Sequence, residues 1–183
     1  MIEQEKAKYD RIHSVPGYSP GPGISRVRNA VPYMPPGCSV IDFGTGTGDA
    51  AQNFMDQGFK VYAVDISDKG LRHDEVKLFK ASLHKLPKNL PRADWGFCVD
   101  VMEHLPTEWV QEALQQMSRK VGNCYFSIST VPDSWGKKIN ETLHLTVKPG
   151  EWWVKRVCEY WSDVLMTEGS SSCEIIARGS KRD

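Results

Sequence analysis

The chain has 183 residues, and its 23 Lys and Arg balance 23 Asp and Glu, so the formal net charge is zero. This length predicts one domain with one core, and the charge balance disfavours a protein that binds duplex nucleic acid through a bulk basic excess. No segment resembles a signal peptide or a membrane span, which predicts a cytoplasmic protein without a membrane partner. Five cysteines without a Cys-x-x-Cys pair predict small buried side chains, no disulfide framework and no metal site.

Residues 1–37 are predicted to form a lid or cap on a sheet core that spans residues 38–183. Charged residues with loosely spaced apolar positions predict a short amphipathic helix over residues 1–13. The following stretch, 14–23, is rich in Pro and Gly, which excludes a helix or a central strand and predicts an ordered loop or lid. A second short helix is predicted over residues 24–33.

From residue 38 onward, apolar β-branched runs alternate with helical periodicity. Helices are predicted over residues 48–58, 151–161 and from Thr107, as the cap, to Val121. The tail predicts an antiparallel hairpin over residues 163–168 and 172–178. Strands are predicted over residues 38–43, 60–65, 76–81, 95–100 and 124–129. Buried strands that alternate with helices predict a mostly parallel sheet, covered by helices, with the hairpin at or near one edge.

A glycine-rich turn, Val40-Ile-Asp-Phe-Gly-Thr-Gly-Thr-Gly48, follows the first predicted strand. Gly44 and Gly46 allow a sharp turn and close approach of a ligand to bare backbone, and the next helix offers free N–H groups to an anion. Asp65 ends the second strand, where a carboxylate can accept hydrogen bonds from both ribose hydroxyls. A nicotinamide fold needs a third glycine where Asp49 stands, which disfavours an oxidoreductase. The pattern predicts a site for an adenosine-containing cofactor.

Four ordered segments together resemble the class I S-adenosylmethionine-dependent methyltransferases. The glycine turn with Asp42 before it is similar to the first motif of that family, and the strand that ends at Asp65 is similar to the second. Residues 83–87 resemble the segment after the third strand, and residues 93–106, which end in Glu-His-Leu-Pro, resemble the fourth motif. Further segments, at 18–21, 94–98, 143–147 and 152–153, are similar to a group of small methyltransferases from bacteriophages and bacteria.

The resemblance implies a Rossmann-like, doubly wound α/β fold with a mostly parallel seven-stranded sheet, a C-terminal antiparallel hairpin and helices on both faces. It also implies S-adenosylmethionine as the cofactor, with Asp42 orienting the methionine amino group and Asp65 holding the ribose diol. Many members have an aspartate after the third strand, where this chain has Ser82. The residues expected to bind the cofactor are Asp42, Gly44, Thr45, Gly46, Gly48, Asp65, Ile66, Ser82, Leu83, Asp100, Val101 and, from the lid, Tyr18.

Methyl transfer from a sulfonium is an in-line displacement, so the protein mainly aligns the acceptor and excludes water. A base is needed only where the acceptor must lose a proton, and histidine is the usual choice. His104 follows the fourth strand, and His144 lies in a loop expected to reach the same edge of the sheet. The predicted catalytic residues are therefore His104 and His144, with Asp133 as a further candidate. Three tryptophans, Trp135, Trp152 and Trp153, either stack on a planar acceptor or pack helix against sheet.

The chain lacks the Asp/Asn-Pro-Pro-Tyr/Phe segment and the Pro-Cys nucleophile of DNA methyltransferases. The sequence therefore predicts methyl transfer to oxygen or nitrogen of a small molecule or a modified nucleotide. Two alternatives stay open. One is a nucleic-acid methyltransferase acting on an exposed or modified base, and the other is a catalytically inactive cofactor-binding subunit that serves a partner.

Overall fold

Two N-terminal helices precede the sheet in the computed structural model, which describes residues 2–18 and 23–181. Helix α1 spans Ile2–His13, and α2 spans Gly23–Ala30 with a 3₁₀ turn, Val31–Tyr33, directly after it. Both predicted N-terminal helices are thereby confirmed. The predicted loop at 14–23 falls partly outside the described residues, because residues 19–22 are not among them.

The sheet has seven strands in the order β3-β2-β1-β4-β5-β7-β6. Strands β1 to β5 are parallel, whereas β7 runs antiparallel to both β5 and β6. The predicted mostly parallel sheet with an antiparallel hairpin at one edge is therefore confirmed. The strands are β1 (Ser39–Phe43), β2 (Lys60–Asp65), β3 (Leu78–Lys80), β4 (Ala93–Val99), β5 (Val121–Ser129), β6 (Trp161–Glu168) and β7 (Ser172–Ser180).

Helices cover both faces of this sheet. They are α3 (Asp49–Asp56), α4 (Thr107–Lys120) and α5 (Gly150–Tyr160), in addition to α2. Successive residues of a strand point to opposite faces, and accordingly Ile41 packs in the cluster that holds residues of α4 and α5, whereas Val40 packs in the cluster that holds residues of α2 and α3. Among the described residues, no helix combines the length and the apolar run needed to cross a bilayer.

Several predicted boundaries are wrong. Thr107 is the first residue of α4 rather than its cap, and its hydroxyl is hydrogen-bonded to that of Thr146 at 2.8 Å. Strand β5 begins at Val121, where the apolar period had placed the end of the helix, because the chain passes from α4 into β5 without a loop. Of the five cysteines, Cys158 is exposed and Cys38 half-buried.

The strand order places a crevice at the carboxyl edge of the sheet. The chain leaves β1 toward β2 on one side, whereas β4 lies on the other side, so the connections after β1 and β4 diverge. Ligands of open α/β sheets bind at such a switch point. The carboxyl ends of β1, β2, β4 and β5 therefore determine which residues can form a site.

Candidate active site

The turn after β1 brings bare backbone to the crevice. Gly44 has φ +77°, in the left-handed region that favours glycine. A Cβ placed on Gly44 would lie 2.3 Å from a methyl carbon of Val101, so no side chain fits between the two. Gly48 has φ +81° and is the N-cap of α3, and a Cβ placed on it would lie 2.8 Å from a methyl group of Leu71.

Asp65 lies at the end of β2 and holds the neighbouring loops together. One carboxylate oxygen accepts the backbone N–H of Gly46 at 2.8 Å, and the other accepts that of Ser67 at 2.9 Å. Burial raises the pKa of this carboxyl, and the two N–H bonds act against that rise. Each oxygen keeps a further lone pair, so the carboxylate can still accept hydrogen bonds from a diol.

Asp42 is buried beneath the same turn. Its carboxylate accepts the hydroxyl of Thr45 at 2.7 Å. Burial raises the pKa of Asp42 to about 7, and the nearby charge of Asp65 acts in the same direction. A cationic group placed at this carboxylate would ionise it and gain a buried charge pair.

Two adjoining cavities open at the carboxyl edge of the sheet, with volumes of about 400 Å³ and about 100 Å³. Both are lined by Tyr18, Gly44, Gly46, Asp100 and His104. The smaller cavity is also lined by Asp65, Ile66, Ser82, Leu83 and Val101. The larger cavity is also lined by Asp42, Thr45, Asp133, Trp135 and His144. Of the residues predicted to form the site, only Gly48 lines neither cavity. Gly48 instead lies at the turn that leads into α3.

Asp100 occupies the boundary between the cavities. It follows β4 with φ +53°, a conformation that is uncommon for a non-glycine residue, although less so for Asp, and that clusters at active sites. Burial raises the pKa of its carboxyl, whereas Arg26 and His144 act to lower it. Strand β4 ends at Val99, one residue earlier than the sequence predicts, so Asp100 belongs to the turn and not to the strand.

Helix α1 contributes residues to the cavities that the sequence motifs do not predict. Glu5, Tyr9 and His13 all line the smaller cavity, together with Trp109 of α4. The three residues of α1 are spaced by four, which places them on one face of the helix. That spacing is the signal in the sequence that the three residues share a face, but the sequence does not indicate where the helix packs.

His104 is held as a neutral imidazole. Its Nδ1 is hydrogen-bonded to the hydroxyl of Tyr9 at 2.9 Å. Burial, with the charges of His144 and Lys8, lowers the pKa of His104 to about 3. The ring therefore stays uncharged at neutral pH.

Among the described residues, the hydrogen bond of the His144 ring is made through Nδ1. Its Nδ1 lies 2.7 Å from the carbonyl oxygen of Val131, and because a carbonyl only accepts, Nδ1 carries the proton. In the neutral ring the lone pair is then on Nε2. The ring centroids of His104 and His144 are 4.7 Å apart, so the fold brings the two predicted histidines together.

Asp133 organises the loop that carries His144. Its carboxylate accepts three backbone N–H groups, from Gly136 at 2.7 Å, Leu143 at 2.9 Å and His144 at 3.3 Å. Burial acts to raise the pKa of Asp133, but these bonds outweigh burial and lower it. The side chain thus lines the cavity with both oxygens already engaged.

Glu103 stands out in the sequence only as part of Glu-His-Leu-Pro, yet it lies beside the histidines. It is fully buried, and its Oε1 accepts the backbone N–H of Ser129 at 3.0 Å. Burial raises the pKa of Glu103 to about 8, and the charge of Asp100 adds to the rise. Its Oε2 has no hydrogen-bond partner among the described residues.

The three tryptophans have different surroundings. Trp135 lines the larger cavity, where Tyr18 meets it edge to face at 5.5 Å between ring centroids. Trp153 is fully buried in the core and packs helix against sheet. Trp152 carries the guanidinium of Arg156 over its ring at 3.3 Å.

A seven-stranded sheet with a glycine turn after β1 and an acid after β2 defines the class I methyltransferase fold. A family model described as methyltransferase domain matches residues 6–164, and the chain belongs to this family. Family membership confirms the predicted S-adenosylmethionine-dependent class of enzyme and its cofactor. Similarity to a bacteriophage and bacterial group stays a prediction.

Solved structures share the fold over nearly the whole chain. The DhpI–SAH complex has a TM-score of 0.71 at 17% identity, covering 99% of this chain and 98% of that one. The PH0226 protein from Pyrococcus horikoshii OT3 has a TM-score of 0.70 at 16% identity, with 86% and 89% covered. N-methyltransferase NodS from Bradyrhizobium japonicum WM9, in complex with S-adenosyl-l-homocysteine, has a TM-score of 0.69 at 11% identity, with 97% and 99% covered. No curated protein sequence matches the chain.

Replacement of Asp65 by Asn is expected to weaken S-adenosylmethionine binding by about 10- to 150-fold, because a hydrogen bond to a charged group contributes roughly 1.5–3 kcal/mol. Calorimetric titration of the two proteins measures this change. Asp68→Asn, at an exposed carboxylate three residues further along, is the matched control and should bind like the wild type. Equal affinities of all three proteins for S-adenosylmethionine would contradict the expected role of Asp65 in binding the cofactor.

Proposed function

We propose that this chain transfers the methyl group of S-adenosylmethionine to an oxygen or nitrogen of a small acceptor bound in the larger cavity. The observation that carries the proposal is that the two cavities meet at Gly44, Gly46 and Asp100. A cofactor that extends from the smaller cavity across this junction would present its methyl group to the larger one.

The described residues fit the cofactor. S-adenosylmethionine, when bound, supplies an electrophilic methyl group and needs no covalent help from the protein. Asp65 is suited to the ribose diol, and the buried Asp42 to the amino group of the methionine part. Ile66, Ser82 and Leu83 line the smaller cavity beside the ribose position, where they would contact the adenine. Tyr18 borders both cavities and would cover the junction.

The larger cavity favours a small, planar acceptor that is not an anion. Its volume of about 400 Å³ lies within the range of small-molecule sites. Trp135 and Tyr18 supply aromatic surface on which a planar group can stack. Its described lining residues include four aspartates and neither Lys nor Arg. A polynucleotide, which is bound through phosphate contacts, is therefore the less favoured acceptor, although a modified nucleoside would fit.

We assign acceptance of the acceptor's proton to His144 rather than to His104 or Asp133. The lone pair on Nε2 of His144 is not used by the hydrogen bond to Val131. His104 resists protonation, and its Nδ1 is engaged by Tyr9. Asp133 acts as a positioning residue, since its three backbone bonds fix the loop that presents His144.

The test is methyl transfer from labelled S-adenosylmethionine to a panel of phenols, alcohols, amines, modified nucleosides and single-stranded polynucleotides. With the acceptor that reacts, His144→Gln is expected to lower kcat about 100-fold, within the range for loss of a general base, while the cofactor affinity stays unchanged. Transfer to small acceptors supports the proposal. Cofactor binding without transfer to any of them would favour an inactive subunit, and salt-sensitive transfer to polynucleotide alone would favour the nucleic-acid alternative.

A further inference from the structure

Two imidazoles and one carboxylate converge at the wall of the larger cavity. Glu103, His104 and His144 each offer one ligand atom, and these three atoms lie within 4.8 Å of one another. Glu103 and His104 belong to the 3₁₀ turn Met102–His104 after β4, and His144 belongs to the loop fixed by Asp133. The convergence is therefore built by two separate parts of the chain.

Glu103 has no role in methyl transfer as derived above, yet one of its oxygens is left without a partner. The residue is fully buried, and Oε2 receives no hydrogen bond from any described residue, whereas Oε1 is bonded to the N–H of Ser129. Buried polar atoms are nearly always paired, because leaving one unpaired costs free energy. A cation beside Oε2 would provide the missing partner.

We propose that Glu103, His104 and His144 bind a divalent transition-metal ion such as Zn²⁺. Two ring nitrogens with one carboxylate oxygen are a donor set that suits zinc and its neighbours, whereas Mg²⁺ and Ca²⁺ prefer oxygen ligands throughout. Three atoms within 4.8 Å of one another all lie within about 2.8 Å of a common point. Shifts of less than about 1 Å would bring them to the roughly 2.0–2.2 Å of zinc–nitrogen and zinc–oxygen bonds.

The group behind His144 is one that a metal site requires. Metal-bound imidazoles usually donate their other N–H to a carbonyl or similar acceptor. His144 donates Nδ1–H to Val131, which leaves Nε2 for an ion. The Tyr9 hydroxyl can either donate or accept, so its bond to Nδ1 of His104 is compatible with either tautomer of that ring.

The ion would compete with the proton for His144. This consequence rests on the proposed function, in which Nε2 of His144 accepts the proton of the acceptor. An ion bound through the same lone pair removes the base, so Zn²⁺ is expected to inhibit methyl transfer and a chelator to restore it. The site would then be inhibitory and not part of the reaction.

The experiment begins with full-length protein freed of metal by a chelator. Calorimetric titration with Zn²⁺ should show one ion bound per chain. Co²⁺ bound at the same site should give the visible absorption of an ion with a low coordination number. His144→Gln and Glu103→Gln are each expected to weaken Zn²⁺ binding about 100-fold. His73→Gln, which removes a surface histidine paired with Asp49, should leave it unchanged. Thermal unfolding of each metal-free variant checks that it is folded. If Glu103→Gln does not fold, His144→Gln alone tests the site.

The outcomes separate the metal site from the proposed function. Absence of binding, or an equal loss in His73→Gln, would overturn the metal site and leave the assignment of His144 as base untouched. Binding that is lost in the site variants and that inhibits methyl transfer supports both. Binding that is lost in the site variants without any inhibition supports the metal site and overturns the assignment of His144 as base.

Discussion

Replacement of Gly44 by Ala is expected to destabilise the protein by roughly 2–5 kcal/mol. Two costs combine at this position. A residue with a Cβ pays about 1–2 kcal/mol for the left-handed conformation at φ +77°, and overpacking against Val101 adds about 1–3 kcal/mol. Because the same turn faces both cavities, cofactor binding should be lost together with stability. Urea unfolding measures the first effect and calorimetric titration the second.

Gly58 provides a matched control for the backbone term. It has φ +85°, but nothing lies within 4 Å of its Cβ position, so Gly58→Ala should cost only the conformational part. Adding Val101→Ala to Gly44→Ala removes the two closest contacts, at 2.3 and 2.7 Å, and leaves one at 3.1 Å. The double variant should regain about 1–3 kcal/mol relative to the sum of the single changes. If Gly44→Ala costs no more than Gly58→Ala, the close packing of the turn is not what requires glycine.

The placement of the residues expected to bind the cofactor could be predicted because these residues lie at strand ends. In a parallel sheet the carboxyl ends of all strands meet at one edge, so a motif that marks a strand end also marks a position in space. Asp42, Gly44 and Asp65 follow from this rule, and all three line the cavities. The local sequence therefore contains both the chemistry and the placement.

The residues expected near the acceptor could be predicted only as residue types, because their contacts join distant parts of the chain. The bond between Tyr9 and His104 spans 95 residues, and no periodicity reports where α1 packs. The pairing of His104 with His144 depends on a loop held by Asp133 through backbone N–H groups, which no side-chain pattern reveals. For the same reason the sequence treats the two histidines alike, whereas the fold bonds one ring to the hydroxyl of Tyr9 and the other, through Nδ1, to the carbonyl of Val131.

Replacement of Asp42 by Asn is expected to change how stability depends on pH. In the folded, cofactor-free protein the pKa of Asp42 is raised to about 7 by burial, against an ordinary value of 3.8. Between these two values the folded state holds a proton that the unfolded state releases, so this carboxyl makes the wild type less stable as pH rises from about 4 to about 7. The difference between these two pKa values corresponds to an effect on the order of 4 kcal/mol.

Asn at position 42 does not titrate and can still accept the hydroxyl of Thr45. The stability of Asp42→Asn relative to the wild type should therefore rise across this window, as measured by urea unfolding of cofactor-free protein between pH 4.5 and 8. Wild-type cofactor affinity should change with pH in the direction opposite to wild-type stability. An ammonium group at Asp42 favours the ionised carboxylate, so wild-type affinity for S-adenosylmethionine should increase toward pH 7, whereas that of the variant should stay level. Parallel curves of stability against pH for the two proteins would mean that Asp42 is ionised throughout this range. Burial would then not raise the pKa of Asp42.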